Sequence, residues 1–363
     1  MTGVRALRRV AAGTVLVSLL HAAVSAQRPS PAELTRLGWD AIEAGRLQDA
    51  AAAFEEAIKQ APSAPALLGA ALTAHLQARY EQARQHLVAA LALDPGFTPA
   101  SVLLGEVLYR LQDIHGAIAA YEQALIRAPG HAQILKKLEA WRREAELHDR
   151  FGQRLGDHFT VLFEGPAEAA LAERAVAILE AAYWRVGTTL YAFPPDVITV
   201  VLYTREQFRD ITESPEWAGG VYDGRIRIPV QGALQNLAEF ERVLTHEFTH
   251  ALVRSLAPRG VPTWLHEGLA VFFEGSDLAA KERLLRSADA APSLKDLEGS
   301  FAGLSPRNAR LAYALSAVAV RILMDEAGAQ ALVNLLTDVG GGASFASAFE
   351  RHVPIPLAEL EKR

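Results

Sequence analysis

Residues 31–130 repeat on themselves, and that repetition restricts the fold more than any other feature of the chain. The segments AGRLQDAAAAFEEAIKQAP, QARYEQARQHLVAALALDP and LQDIHGAIAAYEQALIRAP align end to end, with periods of 33 and 34 residues. Ala50, Ala83 and Ala117 correspond, as do Phe54, Leu87 and Tyr121, and Ala57, Ala90 and Ala124. Each unit closes on a proline, Pro62, Pro95 or Pro129. Small residues at fixed intervals let paired helices cross closely, and proline stops the second helix of each pair. A helical hairpin of this length buries its apolar face only against its neighbours, so the units must stack into a solenoid.

The pattern resembles the tetratricopeptide repeat, whose period is about 34 residues. Gly38 and Gly105 stand where that family's first helix carries a small glycine, and Gly45 marks the first inter-helix turn. The second unit departs, with Ala71 and Ala78 instead. Residues 131–150, HAQILKKLEAWRREAELHDR, read as a capping helix, polar on one face as a solenoid end must be. Such a stack offers a concave surface to a peptide or protein partner. A spacer or a structural shield for the next domain is the other reading.

After Phe151 the pattern changes. HFTVLFEG alternates like a strand, AEAALAERAVAILEAAYWRVGTTL reads as a helix, DVITVVLYT as a buried strand and REQFRDIT as a short helix. An Asp-Gly turn then precedes Arg225-Ile226-Arg227-Ile228, strict alternation closed by Pro229, which fits an edge strand. On such an edge Arg225 and Arg227 keep exposed backbone soluble, or favour acidic or C-terminal groups of a bound peptide. Helices follow from about residue 235 onward. The whole reads as an α+β domain.

Within it, VLTHEFTHALV places two histidines and a glutamate in a mostly apolar helix, residues 240–256. Leu244, Phe248, Ala251 and Leu252 form the core stripe. His246 and His250 are four residues apart and project together from the other side, with Glu247 beside them. This is the H-E-x-x-H arrangement: two imidazoles one turn apart chelate Zn²⁺, and the glutamate acts on water. Pro262 and Thr263 start a second helix, WLHEGLAVFFEG, which carries Glu267 in apolar surroundings seventeen residues after His250. A carboxylate there has an evident partner in a cation. An ion pair with Arg254 or Arg259 is the plainer alternative.

HEFTH followed by WLHEGLAVFFEG resembles the gluzincin metallopeptidases, in particular the short bacterial peptidase-MA-like domains often joined to tetratricopeptide repeats. The likeness covers roughly residues 157–363, including Gly268 and Ala270 of an E-G-x-A motif and the closing GASFASAFERHVPIPLAELE. It implies His246, His250 and Glu267 as zinc ligands and Glu247 as general base. It implies a peptide or protein substrate, hydrolysed by water that zinc acidifies and Glu247 deprotonates. Tyr313 is the best candidate for a donor to the oxyanion, with Tyr222 weaker; a core aromatic is the bland role for Tyr313. Relatives of the thermolysin type place an acid four residues past the third ligand to orient a histidine, where this chain has Val271. Glu274, seven past Glu267, is the substitute on offer. His266 is a competing third ligand, although a neighbour on a helix points elsewhere.

Composition narrows the setting. Arg5, Arg8 and Arg9, an apolar stretch to Leu20 and small residues Val24 and Ala26 form an export signal cleaved after Ala26. Cleavage removes three arginines and no acids, so the net charge moves from -6 to -9. An uncleaved signal would instead tether the chain to a membrane, but its apolar core is short for a span. The chain has no cysteine, which excludes disulfides, thiolate catalysis and Cys-ligated metals. The acidic balance gives no reason to propose nucleic acid. The expected organisation is a signal peptide over 1–26, three tetratricopeptide repeats with a capping helix over 31–150, and a zincin-like α+β metallopeptidase domain over 151–363. The chain is expected to be periplasmic or secreted, with no membrane span after cleavage. Two other readings stand beside the zinc peptidase: a non-catalytic repeat scaffold with a structural or regulatory zincin domain, and a metal-free fold with Glu267 paired to a histidine.

Overall fold

The computed structural model describes residues 28–212, 219–230, 233, 235–288, 290 and 292–360. The expected signal peptide and its cleavage site lie outside them. Six helices carry the repeats: α1 (Pro31–Glu43), α2 (Leu47–Gln60), α3 (Ala64–Leu76), α4 (Tyr80–Leu93), α5 (Thr98–Arg110) and α6 (Ile114–Arg127). A capping box between Ser30 and Glu33 starts the array. Where helices of a pair cross, a ring on one demands a hole in the other. A Cβ on Gly38 would stand 2.6 Å from Phe54, and one on Gly105 would stand 2.3 Å from Tyr121. In the second unit Leu87 replaces the ring, and Ala71 fits within the same core cluster. The missing glycine is therefore a matched substitution. The inter-helix turns keep left-handed backbone at Gly45 (φ +72°), Ala78 (φ +57°) and Gln112 (φ +67°). The two non-glycine residues there each cost roughly 1 kcal/mol.

Helix α7 (Ala132–His148) ends the array. Its Trp141 stacks on Tyr109 and leans on Tyr121. Its far face is not left to solvent. Leu147 clusters with Val201, Tyr203 and Phe208 of the region that follows. Helix α7 thus closes the array as expected, and its other face also packs against the sheet.

A five-stranded mixed sheet follows, in the order β1-β2-β3-β5-β4. The strands are β1 (Phe151–Leu155), β2 (Phe159–Glu164), β3 (Ile198–Tyr203), β4 (Val221–Tyr222) and β5 (Ile226–Pro229). The outer pairs are antiparallel, and β2, β3 and β5 run parallel. Helix α8 (Ala169–Leu190) crosses from β2 to β3, and α9 (Arg205–Thr212) follows β3. Strand β1, FGQRL, has no apolar alternation to announce it; pairing with β2 supplies its register. The remaining helices are α10 (Leu237–Leu256), α11 (Thr263–Phe273), α12 (Leu278–Arg286), α13 (Pro306–Glu326), α14 (Gly328–Gly340), α15 (Phe345–His352) and α16 (Leu357–Leu360). One continuous apolar cluster joins the sheet to most of them. No described helix is long and apolar enough to cross a membrane.

The expected edge strand is corrected. Strand β5 lies inside the sheet, and the two-residue β4 takes the edge. Arg225 and Arg227 are not solubilising edge residues: they are 5% and 1% exposed. Both guanidiniums donate to Glu144 Oε1 of α7 at 2.9 Å. Arg227 also donates to Tyr203 and Tyr109 at 2.8 Å each and pairs with Asp223 at 3.1 Å. Tyr109 donates to Glu144 Oε2 at 2.6 Å. The physical reason is that α7 covers this face of the sheet and brings the counter-charge with it. Further polar links join the two regions, including Gln48 to the Gly341 carbonyl at 3.0 Å.

Candidate metal centre and cleft

Helix α10 begins at an Asn236 cap on the Glu239 amide. Its stripe of Leu244, Phe248, Ala251 and Leu252 is at most 2% exposed, which fixes the rotation of the helix. That rotation turns His246 and His250 toward α11. Helix α11 is held close to α13 by Gly268, where an added Cβ would meet the Ser316 carbonyl oxygen at 2.4 Å. The glycine of the E-G-x-A motif is thus a packing requirement, and it sets Glu267 opposite the imidazoles.

The three expected ligands converge. His246 Nε2 and His250 Nε2 are 3.1 Å apart, and Glu267 Oε2 is 3.6 Å from each. Among the described residues this is the cluster with donor atoms close enough to share a metal ion. Donors held 2.0–2.1 Å from a tetrahedral zinc lie about 3.3 Å from one another. The observed triangle brackets that value. A carboxylate simply paired to a histidine would instead sit about 2.7–2.9 Å from one nitrogen. Glu267 is equidistant from two nitrogens, so the arrangement fits a shared cation better than the metal-free pairing. Nor does Glu267 pair with Arg254 or Arg259.

The imidazoles are oriented from behind. His246 Nδ1–H donates to Glu274 Oε2 at 2.7 Å, and Arg242 donates to the same oxygen at 2.7 Å. Ser276 holds the other oxygen of Glu274. Glu274 thus orients His246 from the position expected of it, while Val271 is buried in the core. Carboxylate–histidine–metal chains of this kind fix the tautomer and raise ligand basicity. His250 Nδ1 is buried without a hydrogen-bond partner. His266 is not brought into the ligand set. Its ring stacks on His250, with centroids 4.6 Å apart at 18°, and its buried Nε2 has no partner.

The electrostatics agree. Burial would lower the pKa of His246, but Glu267, Glu274 and Glu247 overcome it and raise it to about 10. Burial would raise Glu267, yet His250 and His246 pull it down to about 2. Burial pushes His250 well below its usual value and His266 to about 4. The carboxylates thus demand one positive charge between the imidazoles. A proton on His246 would answer it in part, and a divalent cation held by His246, His250 and Glu267 more fully.

Glu247 is 5% exposed and lies against Gly220, whose added Cβ would be 2.8 Å from the carboxylate. The bare backbone before β4 makes room for it. Burial raises its pKa to about 7, into the range of a general base. The site opens into a cleft of about 1200 Å³ lined by His246, Glu247, His266, Glu267 and Tyr313. Tyr313 is half-buried, rests edge-on against Phe301 and has its pKa raised by burial and by Glu267, Glu247 and Glu274. Tyr222 lies off the cleft lining, with Arg254 over its ring at 6.0 Å. Sequence reasoning missed Arg242 and Gly220. The double glycine before a strand was a signal for the second; only tertiary contact reveals the first.

The tetratricopeptide repeat models match residues 35–96 and 74–141, and the peptidase MA superfamily model matches residues 188–363. No curated protein matches the chain. Among solved structures, the first tetratricopeptide domain of Spaghetti (RPAP3), bound to an HSP90 peptide, is 18% identical. It spans 32% of this chain and 96% of its own, with a TM-score of 0.32. The Arabidopsis OM64 tetratricopeptide domain is 20% identical over 32% of this chain and 96% of its own, with a TM-score of 0.31. Residues 188–363 thus form a domain of the peptidase MA superfamily, carried behind N-terminal tetratricopeptide repeats.

Proposed function

We propose that the chain is an exported zinc-dependent peptidase that hydrolyses peptide bonds in its cleft, with the repeats recruiting a protein substrate or partner. The observation that carries this reading is the triangle of His246, His250 and Glu267 donor atoms with a buried carboxylate of raised pKa beside it. The superfamily is typically zinc-dependent. When bound, zinc supplies Lewis acidity, lowering the pKa of water and polarising a carbonyl oxygen. Glu247 takes the proton from the attacking water and returns it to the leaving amine, a task suited to a carboxyl whose pKa is about 7. Glu274 and Arg242 hold the His246 ring in its working orientation. Tyr313 stays protonated and donates to the carbonyl oxygen as charge develops on it.

Glu247→Gln tests the reading. The variant is expected to keep its zinc and lose about 10²–10⁴-fold in peptide cleavage. Zinc-loaded wild type and variant that cleave a peptide library equally would contradict it.

A further inference from the structure

The cleft is unevenly charged once commitments are counted. Of its acids, Glu267 faces the histidine pair, Glu274 is held by His246, Arg242 and Ser276, and Glu247 is buried at the reacting centre. Asp277 caps α12 at the Ala280 amide. Arg242 is committed to Glu239 and Glu274. Arg254, Arg259 and Arg310 also line the cleft and are exposed. Among the described residues, none of these three has a carboxylate oxygen within 4.0 Å. The charges left over for a ligand are therefore cations, in a chain whose formal net charge is -6.

Their positions are specific. Arg254 follows His250 by four residues and His246 by eight, so it continues the ligand row along the cleft face of α10. Tyr222 supports its guanidinium at 6.0 Å. Arg310 precedes Tyr313 by three residues and shares its face of α13 on the cleft wall. Arg259 stands in the loop between α10 and α11, where its charge also reaches His75 of α3. One helical turn is about 5–6 Å, the length of about two extended peptide residues.

We propose that Arg254, with Arg259 and Arg310, binds a substrate carboxylate about two residues from the scissile bond. The preferred substrates are peptides with an acidic side chain there or with a nearby free C-terminus. Guanidinium suits this task because its fork donates to both oxygens of a carboxylate. The inference rests on reading the cleft as a peptidase site, and it replaces the anion-binding role that Arg225 and Arg227 cannot fill from inside the protein.

Binding to the zinc-loaded, full-chain Glu247→Gln protein separates this from turnover. Three sets of fluorescent peptides of equal length are compared by anisotropy: neutral and amidated, amidated with glutamate scanned along the chain, and neutral with a free C-terminus. At least one carboxylate-bearing peptide is expected to bind about tenfold or more tightly than the neutral one. An advantage confined to the glutamate series assigns a side chain; one confined to the free acid assigns the C-terminus. Adding Arg254→Gln and Arg259→Gln should shrink the advantage below about twofold. Arg254→Glu should instead favour lysine at the same peptide position, a gain that misfolding cannot produce. Equal affinity for all peptides, including none, or an advantage that survives the double substitution, overturns the proposal. Carboxylate preference in binding without any wild-type cleavage would refute the peptidase reading and leave a carboxylate-binding cleft with no scissile bond to place it by.

Discussion

Two clusters of buried charge among the described residues are built differently. At the junction of repeats and sheet, Arg225, Arg227, Glu144 and Asp223 are joined with Tyr109 and Tyr203 by hydrogen bonds of 2.6–3.2 Å. In the cleft, Glu267 Oε2 stands 3.6 Å from the Nε2 atoms of both His246 and His250, too far for a hydrogen bond to either. Buried polar groups are costly unless satisfied. A closed network answers that cost internally and holds two regions together. An open one, with donor atoms converging on a point, is satisfied by a ligand. The contrast separates a structural charge cluster from a chemical one without reference to motif.

The largest break in the comparison is at the junction. Glu144→Ala leaves two arginines buried without their shared carboxylate, and is expected to destabilise the chain by about 3–5 kcal/mol. A urea melt with an unchanged midpoint would show that the repeats are not pinned there. In the cleft, Glu274→Gln keeps the ligands but weakens the acceptor behind His246. Zinc affinity is expected to fall about 10–100-fold, measured by competition with a chromophoric chelator. Proteins with the same affinity would reduce Glu274 to a packing role.

The smallest effect is one of pH. His148 bonds to Tyr203 at the junction, and burial lowers its pKa to about 4. Its folded value lies below the unfolded one of about 6.5, so the unfolded chain takes up the proton first as pH falls. The contribution is fully present above about 6.5 and is lost as pH drops toward 4, about 1 kcal/mol of it between 6.5 and 5.5. Melts of wild type and His148→Phe across that range check it; parallel curves would argue against it.

Much of this was legible in the sequence. Helical periodicity alone orients His246 and His250 away from the Leu244–Phe248 stripe, and a second apolar helix supplies Glu267. The repeat register follows from Ala50, Ala83 and Ala117. Strand β5 misled for a definite reason: alternation of arginine and isoleucine gives the period of a strand, but not whether the polar face meets water or another element. Here it meets Glu144, distant in sequence and close in space. Glu274 was legible from its spacing, but the hold of Arg242 on it was hidden likewise, since it joins α10 to the end of α11 through tertiary packing.

The open cluster is proposed to hold a metal ion with Glu267, not His266, as its third ligand. Zinc content after dialysis tests it directly, in wild type, Glu267→Ala and His266→Ala. The expected result is about one zinc per chain in wild type and His266→Ala, and almost none in Glu267→Ala. A wild type that holds no zinc, or a Glu267→Ala protein that holds as much as wild type, would contradict it.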